Sequence, residues 1–141
     1  MDLKLELVVL PVSDVDRAKT FYDNAGFRVD VDHRAGPDFR VVQLTPPRSE
    51  CSITIGTGLT PSTPGSAQGL HLVVTDIEAA RADLVGRGVD VSEPFHFGAA
   101  GQTAGLHPER ADYGTFATFS DPDGNGWLLQ EVTTRNPERD W

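Results

Sequence analysis

The chain of 141 residues has one cysteine, Cys51, one methionine and two tryptophans. A single thiol excludes an internal disulfide framework and any zinc site built from several cysteines. Cys51 lies in an apolar, strand-like run, which predicts a buried and inert side chain. No stretch approaches the roughly 18 consecutive apolar residues of a membrane-spanning helix. Met1-Asp2-Leu3-Lys4 does not begin a secretory signal. These absences lead to the expectation of a cytoplasmic protein that does not engage the membrane. Positive charge is scarce as well: Lys and Arg number 12 against 21 Asp and Glu, a formal net charge of −9. No Lys/Arg cluster is present, so a nucleic-acid partner is not expected. The acidic excess serves solubility first, and it favours a cationic ligand over an anionic one. The glycine-rich stretch from Gly98 to Gly105 has no phosphate-loop lysine. There is also no serine-centred nucleophile elbow and no Cys–His pairing signature.

What is present is a repeated pattern. In Ser120-Asp121-Pro122-Asp123-Gly124-Asn125-Gly126, turn residues separate two strand-like runs, Thr115–Phe119 and Trp127–Val132. In the second run Leu128 and Gln130 point one way; Trp127, Leu129 and Glu131 point the other, with Trp127 read as core. From the start of the chain, Leu5–Val12 reads as a strand. Asp14 reads as a helix cap, with Val15, Ala18 and Tyr22 forming an apolar stripe and Gly26 ending the helix. Strands are predicted at 27–32, 39–45 and 51–55. Residues 57–68, rich in Gly, Pro, Ser and Thr, read as a linker. Then the pattern returns. Val12/Val74, Asp14/Asp76, Val15/Ile77, Ala18/Ala80, Tyr22/Leu84 and Gly26/Gly88 all keep one offset of 62 residues. A constant offset of this kind marks a duplicated supersecondary unit.

The expected fold class is α+β: two tandem βαβββ modules, residues 1–56 and 69–135, forming a curved mixed-sheet trough with the helices outside. The second module carries an inserted loop at 94–112, and 136–141 form a polar tail in which Trp141 is a candidate docking group. A unit with one helix covers one sheet face only, and the uncovered faces are where a small ligand is expected. Within the insertion, Phe95-His96-Phe97 and Tyr113 read as a candidate stacking lid, alongside the reading that Phe95 or Phe97 packs on the sheet edge.

Val12-x-Asp14-x-x-x-Ala18-x-x-Phe21-Tyr22 with Gly26-Phe27, its repeat from Val74-x-Asp76, and Asp121-Pro122-Asp123-Gly124-Asn125 together resemble the vicinal oxygen chelate superfamily. That group includes glyoxalase I, bleomycin-resistance proteins and extradiol dioxygenases. The resemblance implies the paired-module fold and, commonly, a homodimer whose modules pair within a chain or swap between chains. Metal-dependent members place four His, Glu or Gln ligands on the first and last strands of the modules. Here those positions fall on Leu7, Ile53, Gly69 and Leu128, none of which has a side-chain donor. The implied reading is therefore a metal-free, cofactor-free binder of a small organic molecule, planar or cationic, of the bleomycin-resistance type. Leu7, Ile53 and Leu128 would be apolar walls, His71 and Gln130 anchors, and Phe95, Phe97 and Tyr113 the lid. The alternative is a lyase, isomerase or dioxygenase-like enzyme, metal-independent or with a rearranged metal site, using His71, His96 or His107 as acid or base.

Overall fold

Both helices start at the aspartates that the repeat marks. In the computed structural model, which describes residues 1–134, Asp14 Oδ1 accepts the Arg17 N–H and Asp76 Oδ1 accepts the Ala79 N–H. These bonds satisfy first-turn donors that a helix cannot pair itself. The elements in chain order are β1 (Leu7–Val9), α1 (Val15–Asn24), β2 (Arg28–Arg34), β3 (Arg40–Thr45) and β4 (Ser52–Thr57). The second repeat gives β5 (Leu70–Val74), α2 (Ile77–Gly86), β6 (Phe95–Gly98), β7 (Gly101–Ala104), β8 (Thr115–Ser120) and β9 (Gly126–Glu131). Among the described residues no helix is long and apolar enough to cross a membrane. Arg135 and the predicted tail 136–141, with Trp141, lie outside the described residues.

The strands form two sheets, β1-β4-β3-β2 and β5-β9-β8-β6-β7. In each, the first strand of the repeat runs parallel to the last, β1 beside β4 and β5 beside β9. The apolar stripes find their sheets as the spacing predicts. Ala18 and Tyr22 of α1 are buried with Val42, Leu44 and Ile55, and Ile77 and Leu84 of α2 with Ala117, Phe119, Trp127 and Leu129. Phe119 and Trp127 stack with ring centroids 5.8 Å apart.

The insertion at 94–112 is more ordered than a loop. Phe95 and Phe97 alternate with polar residues, and the Gly98–Gly101 turn folds the chain back, so β6 and β7 extend the second sheet beyond β8. Gly101 has φ +96°, a conformation that suits glycine. Residues 89–91 lie outside the strands; Val89 and Val91 are buried and Ser92 N bonds Thr118 O.

Two compact units follow from the contacts, and their boundary departs from that of the repeats. Ser120–Asn125, the turn between β8 and β9, belongs with residues 1–68; residues 69–119 and 126–134 form the other unit. The turn is bonded into the first unit. Tyr22 Oη donates to Asp121 Oδ2 at 2.9 Å, Asn125 Nδ2 donates to Pro11 O at 2.8 Å, and Ala67 N donates to Asn125 Oδ1 at 3.0 Å. Ser13 donates through N and Oγ to Asp123, and Arg17 Nη2 reaches the same carboxylate. Gly65 has no room for a side chain, because a Cβ there would stand 2.0 Å from Asp123 O. The segment read as a linker is thus held in place: β4 extends to Thr57, and Gly65, Ala67 and Gln68 bond Pro11 or the turn.

Candidate site on the open sheet faces

Strand alternation and register decide which side chains face away from the helices. In the second unit Trp127, Leu129 and Glu131 are buried, whereas Leu128 and Gln130 are half-buried. Glu131 Oε2 accepts the N–H of Ile77, the first residue of α2, which fixes its parity as the helix side. Leu128 and Gln130 therefore lie on the open face, and the parallel register places His71 beside Leu128 and Val73 beside Gln130. In β8 the buried Thr115, Ala117 and Phe119 alternate with Phe116 and Thr118, and Phe116 pairs with Phe95. Phe95, Phe97 and Phe116 thus share the open face. Phe95 stacks on Phe116 at 5.8 Å, and Phe97 stands edge-on to both, at 5.9 and 5.5 Å. Phe97 is 60% exposed.

The polar groups beside this cluster are few and oriented. His71 Nδ1 lies 2.8 Å from Gly69 O. A carbonyl only accepts, so Nδ1 is the donor in this contact. Gln130 Nε2 donates to Tyr113 O at 3.1 Å. Tyr113 itself adopts φ +65° and is 38% exposed.

In the first unit one assignment is corrected. Leu7 and Val9 alternate with the more buried Val8 and Leu10, and register sets Leu7 opposite Ser52, Val8 opposite Ile53 and Val9 opposite Thr54. Ile53 also faces Leu44, a residue of the α1 core. Ile53 is therefore a helix-side core residue and forms no wall with Leu7. The position equivalent to Leu128 is Thr54, because Val9 corresponds to His71 across the repeat and the two pairs are Val9–Thr54 and His71–Leu128. Aligning the hairpins by sequence misses it by one residue, and one residue reverses the face. Thr54 is 4% exposed, and among the described residues its Oγ1 has no hydrogen-bond partner.

The three histidines separate. His96 pairs with Thr115 on the helix-side parity, and its ring lies 5.9 Å from that of His107. The two meet on the face opposite His71.

The strongest ion pairs in both units serve the fold. Arg40 bridges Asp32 and Asp16, tying β2 and β3 to α1, and Lys19 reaches Asp32 at 2.8 Å. Hydrogen bonds from Arg40, then from Lys19, hold the Asp32 carboxyl far below the usual carboxylate range. Arg110 donates to both oxygens of Glu131 and lowers its pKa. Cys51, expected to be buried, is half-buried; burial pushes its thiol up, with Glu6 adding to the effect. Two clefts of about 360 and 310 Å³ lie around the start of α1 and beside residues 56–64, both lined by the first unit.

The donor set does not fit a divalent ion. Leu7, Leu128 and Gly69 provide no side-chain donor, Thr54 provides a neutral hydroxyl, and among the described residues no three His, Cys, Asp or Glu side chains converge. Such ions require several deprotonated or neutral-imidazole ligands together.

The sequence reading missed Phe116 and Thr54. Strict alternation in 115–119 carries the signal for Phe116; the signal for Thr54 lies in β1–β4 register, which a single sequence does not show.

Comparison with known proteins agrees with this architecture. TnmS3, described as an antibiotic binding protein from Streptomyces sp. CB03234, superposes with a TM-score of 0.72 at 32% identity, covering 93% of this chain and 97% of that one. A glyoxalase/bleomycin resistance protein from the same organism gives 0.68 at 33% identity, over 91% and 100%. An uncharacterized protein of Bacillus subtilis, YetH, is 28% identical over 129 residues, 88% of this chain and 94% of its own. The profile of the Glyoxalase/Bleomycin resistance protein/Dioxygenase superfamily matches residues 4–129, and the chain belongs to that superfamily.

Proposed function

We propose that the chain binds a small planar organic molecule, with Phe97 and Phe116 as its stacking surface, backed by the buried Phe95. The observation that carries this reading is the exposed Phe97, edge-on to two other phenylalanines on a sheet face. Phe97, exposed in this way, contributes little to the core and suits a flat ligand, while Phe95 is buried and belongs to the core. His71 and Gln130 are the polar anchors and Leu128 an apolar contact. The likeness to an antibiotic-binding relative supports sequestration over turnover, as does a donor set unsuited to a metal. The net charge of −9 favours a cationic ligand.

The working form is a homodimer in the cytoplasm. Met1, Leu3, Leu5, Leu7 and Val9 expose an alternating apolar stripe that a second copy would cover. Light scattering at micromolar concentration checks the dimer.

The ligand reading is tested by a thermal-shift series with 9-aminoacridine and uncharged planar aromatics. A ligand at about 100 times its Kd stabilises the native state by about 2.7 kcal/mol. Phe97→Ala should abolish the shift while the protein stays folded, and mass analysis should recover the ligand unchanged. Conversion of a ligand that stops in folded His71→Ala would instead make the protein an enzyme.

A further inference from the structure

Two backbone carbonyls set the polarity of the open face of the second unit. Tyr113 O accepts from Gln130 Nε2 at 3.1 Å, and Gly69 O lies 2.8 Å from His71 Nδ1. A carbonyl has no proton to give, so each side chain must turn a donor toward it. The Tyr113 carbonyl is firmly placed. Tyr113 N donates to Glu131 O at 2.8 Å, Asp112 Oδ1 accepts from Thr133 N and Thr134 N, and Arg110 donates to both oxygens of Glu131. Turning the Gln130 amide over would set Oε1 against the Tyr113 oxygen, two acceptors with no proton between them.

What each side chain has left is an acceptor. Gln130 Oε1 and, in the neutral ring, Nε2 of His71 are the atoms not spent on those carbonyls. Among the described residues neither has a hydrogen-bond donor. Register pairs His71 with Leu128 and Val73 with Gln130, so the acceptors occupy one diagonal of the β5–β9 ladder and the apolar residues the other. Strand spacing and rise put the Cα atoms of that polar diagonal about 8 Å apart. The hydroxyls of Thr118 and Tyr113 rotate to give or to accept and impose no polarity. Gln102 stands on β7, three strands from β9, and so roughly 14 Å from Gln130. We infer that the face selects planar aromatics that bring hydrogen-bond donors, aromatic amines above all, and discriminates against rings whose edges only accept. This rests on the ligand reading above and deepens it: Phe97 and Phe116 hold the ring, and Gln130 with His71 read its edge. A ring edge without donors strips water from both acceptors and returns no bond. The net charge of −9 acts in the same direction, because a cationic amine is a donor that carries positive charge.

The test compares proflavine with acridine orange by fluorescence titration at about pH 8, above the range in which free imidazole titrates. Both dyes are flat tricyclic cations; the first carries amino groups where the second carries dimethylamino groups. Proflavine should bind at least about tenfold tighter. Gln130→Leu and His71→Phe should each weaken proflavine about tenfold and change acridine orange less than about threefold, drawing the dyes together. Equal affinities in the wild-type protein overturn donor selection and leave the ligand reading standing. An undiminished preference in a folded variant marks exclusion of the methyl groups by size and overturns it too. Binding of neither dye removes the ligand reading itself, and donor selection with it. Either variant serves if the other fails to fold.

Discussion

The turn between β3 and β4 and the turn between β8 and β9 occupy the same place in the two repeats, yet they are bonded differently. The first closes on itself: Ser49 N bonds Pro46 O, and Ser49 Oγ pairs with the backbone of Cys51. The second spends its side chains on distant partners, Tyr22, Pro11, Ser13, Arg17 and Ala67. Duplication thus preserved the strand-turn-strand geometry, and one copy became an anchor within the first unit. The Asp-Pro-Asp-Gly-Asn sequence is therefore set by bonding as well as by turn conformation. Asp121 and Asn125 are buried and cap the turn internally, Asn125 N and Nδ2 both donating to the Asp121 carboxylate.

Substitution at the two turns should separate them clearly. Asn125→Ala removes the bonds to Pro11 O, Asp121 Oδ2 and Ala67 N, and leaves buried partners unsatisfied. At about 1–3 kcal/mol for each such group, only partly additive, a loss of about 3 kcal/mol is expected. Ser49→Ala breaks a local, part-buried pair and should cost less than about 1 kcal/mol. Urea denaturation of both variants measures the difference, and equal losses would end the distinction between anchor and plain turn.

The helix starts offer a second comparison. Each has its own aspartate cap and, in addition, a carboxylate from far along the chain: Asp123 on Ser13 N before α1, and Glu131 on Ile77 N in α2. Glu131 is nearly fully buried, so Glu131→Ala leaves the buried Ile77 N–H without an acceptor, at about 2 kcal/mol. The carboxyls of Glu131 and Asp32 are both held below their ordinary values. Their contribution is complete above the unfolded-state values near 4, and it is lost as pH falls through the lower folded values. Glu131→Gln should flatten that acid limb, as read by melting temperature against pH below about 4.

Much of the fold was legible because its signals are local. Asp14 and Asp76 cap as the spacing says, and Ala18 and Tyr22 bury as their stripe requires. The open face was legible where parity alone decides, at His71, Leu128 and Gln130. It was illegible where pairing decides. Ile53 and Thr54 exchange faces because β1–β4 register depends on non-local hydrogen bonds. The glycines of 98–105 suggested a loop, and the hairpin forms because β6 finds the edge of β8. His107 Nδ1 accepts from the backbone of Glu109 and Ala111, and such bonds leave no pattern of side-chain types to read.

The smallest effect tests the open faces. Thr54 and Leu128 are equivalent through the repeat, but Thr54 is buried with a hydroxyl that has no partner among the described residues, and Leu128 is half-buried beside His71. Thr54→Val keeps the side-chain shape and removes a polar atom that has no partner, so it should stabilise the protein by about 1 kcal/mol. For a chain of this size that raises Tm by about 3 °C. Leu128→Thr is the reciprocal change and should lower stability by about 1 kcal/mol, through lost apolar burial. Calorimetry of the two variants reads opposite signs if the faces differ as described. A destabilised Thr54→Val would mean that an ordered water or ligand group completes the hydroxyl's bonding, and the first unit's open face would then share the polar character of the second.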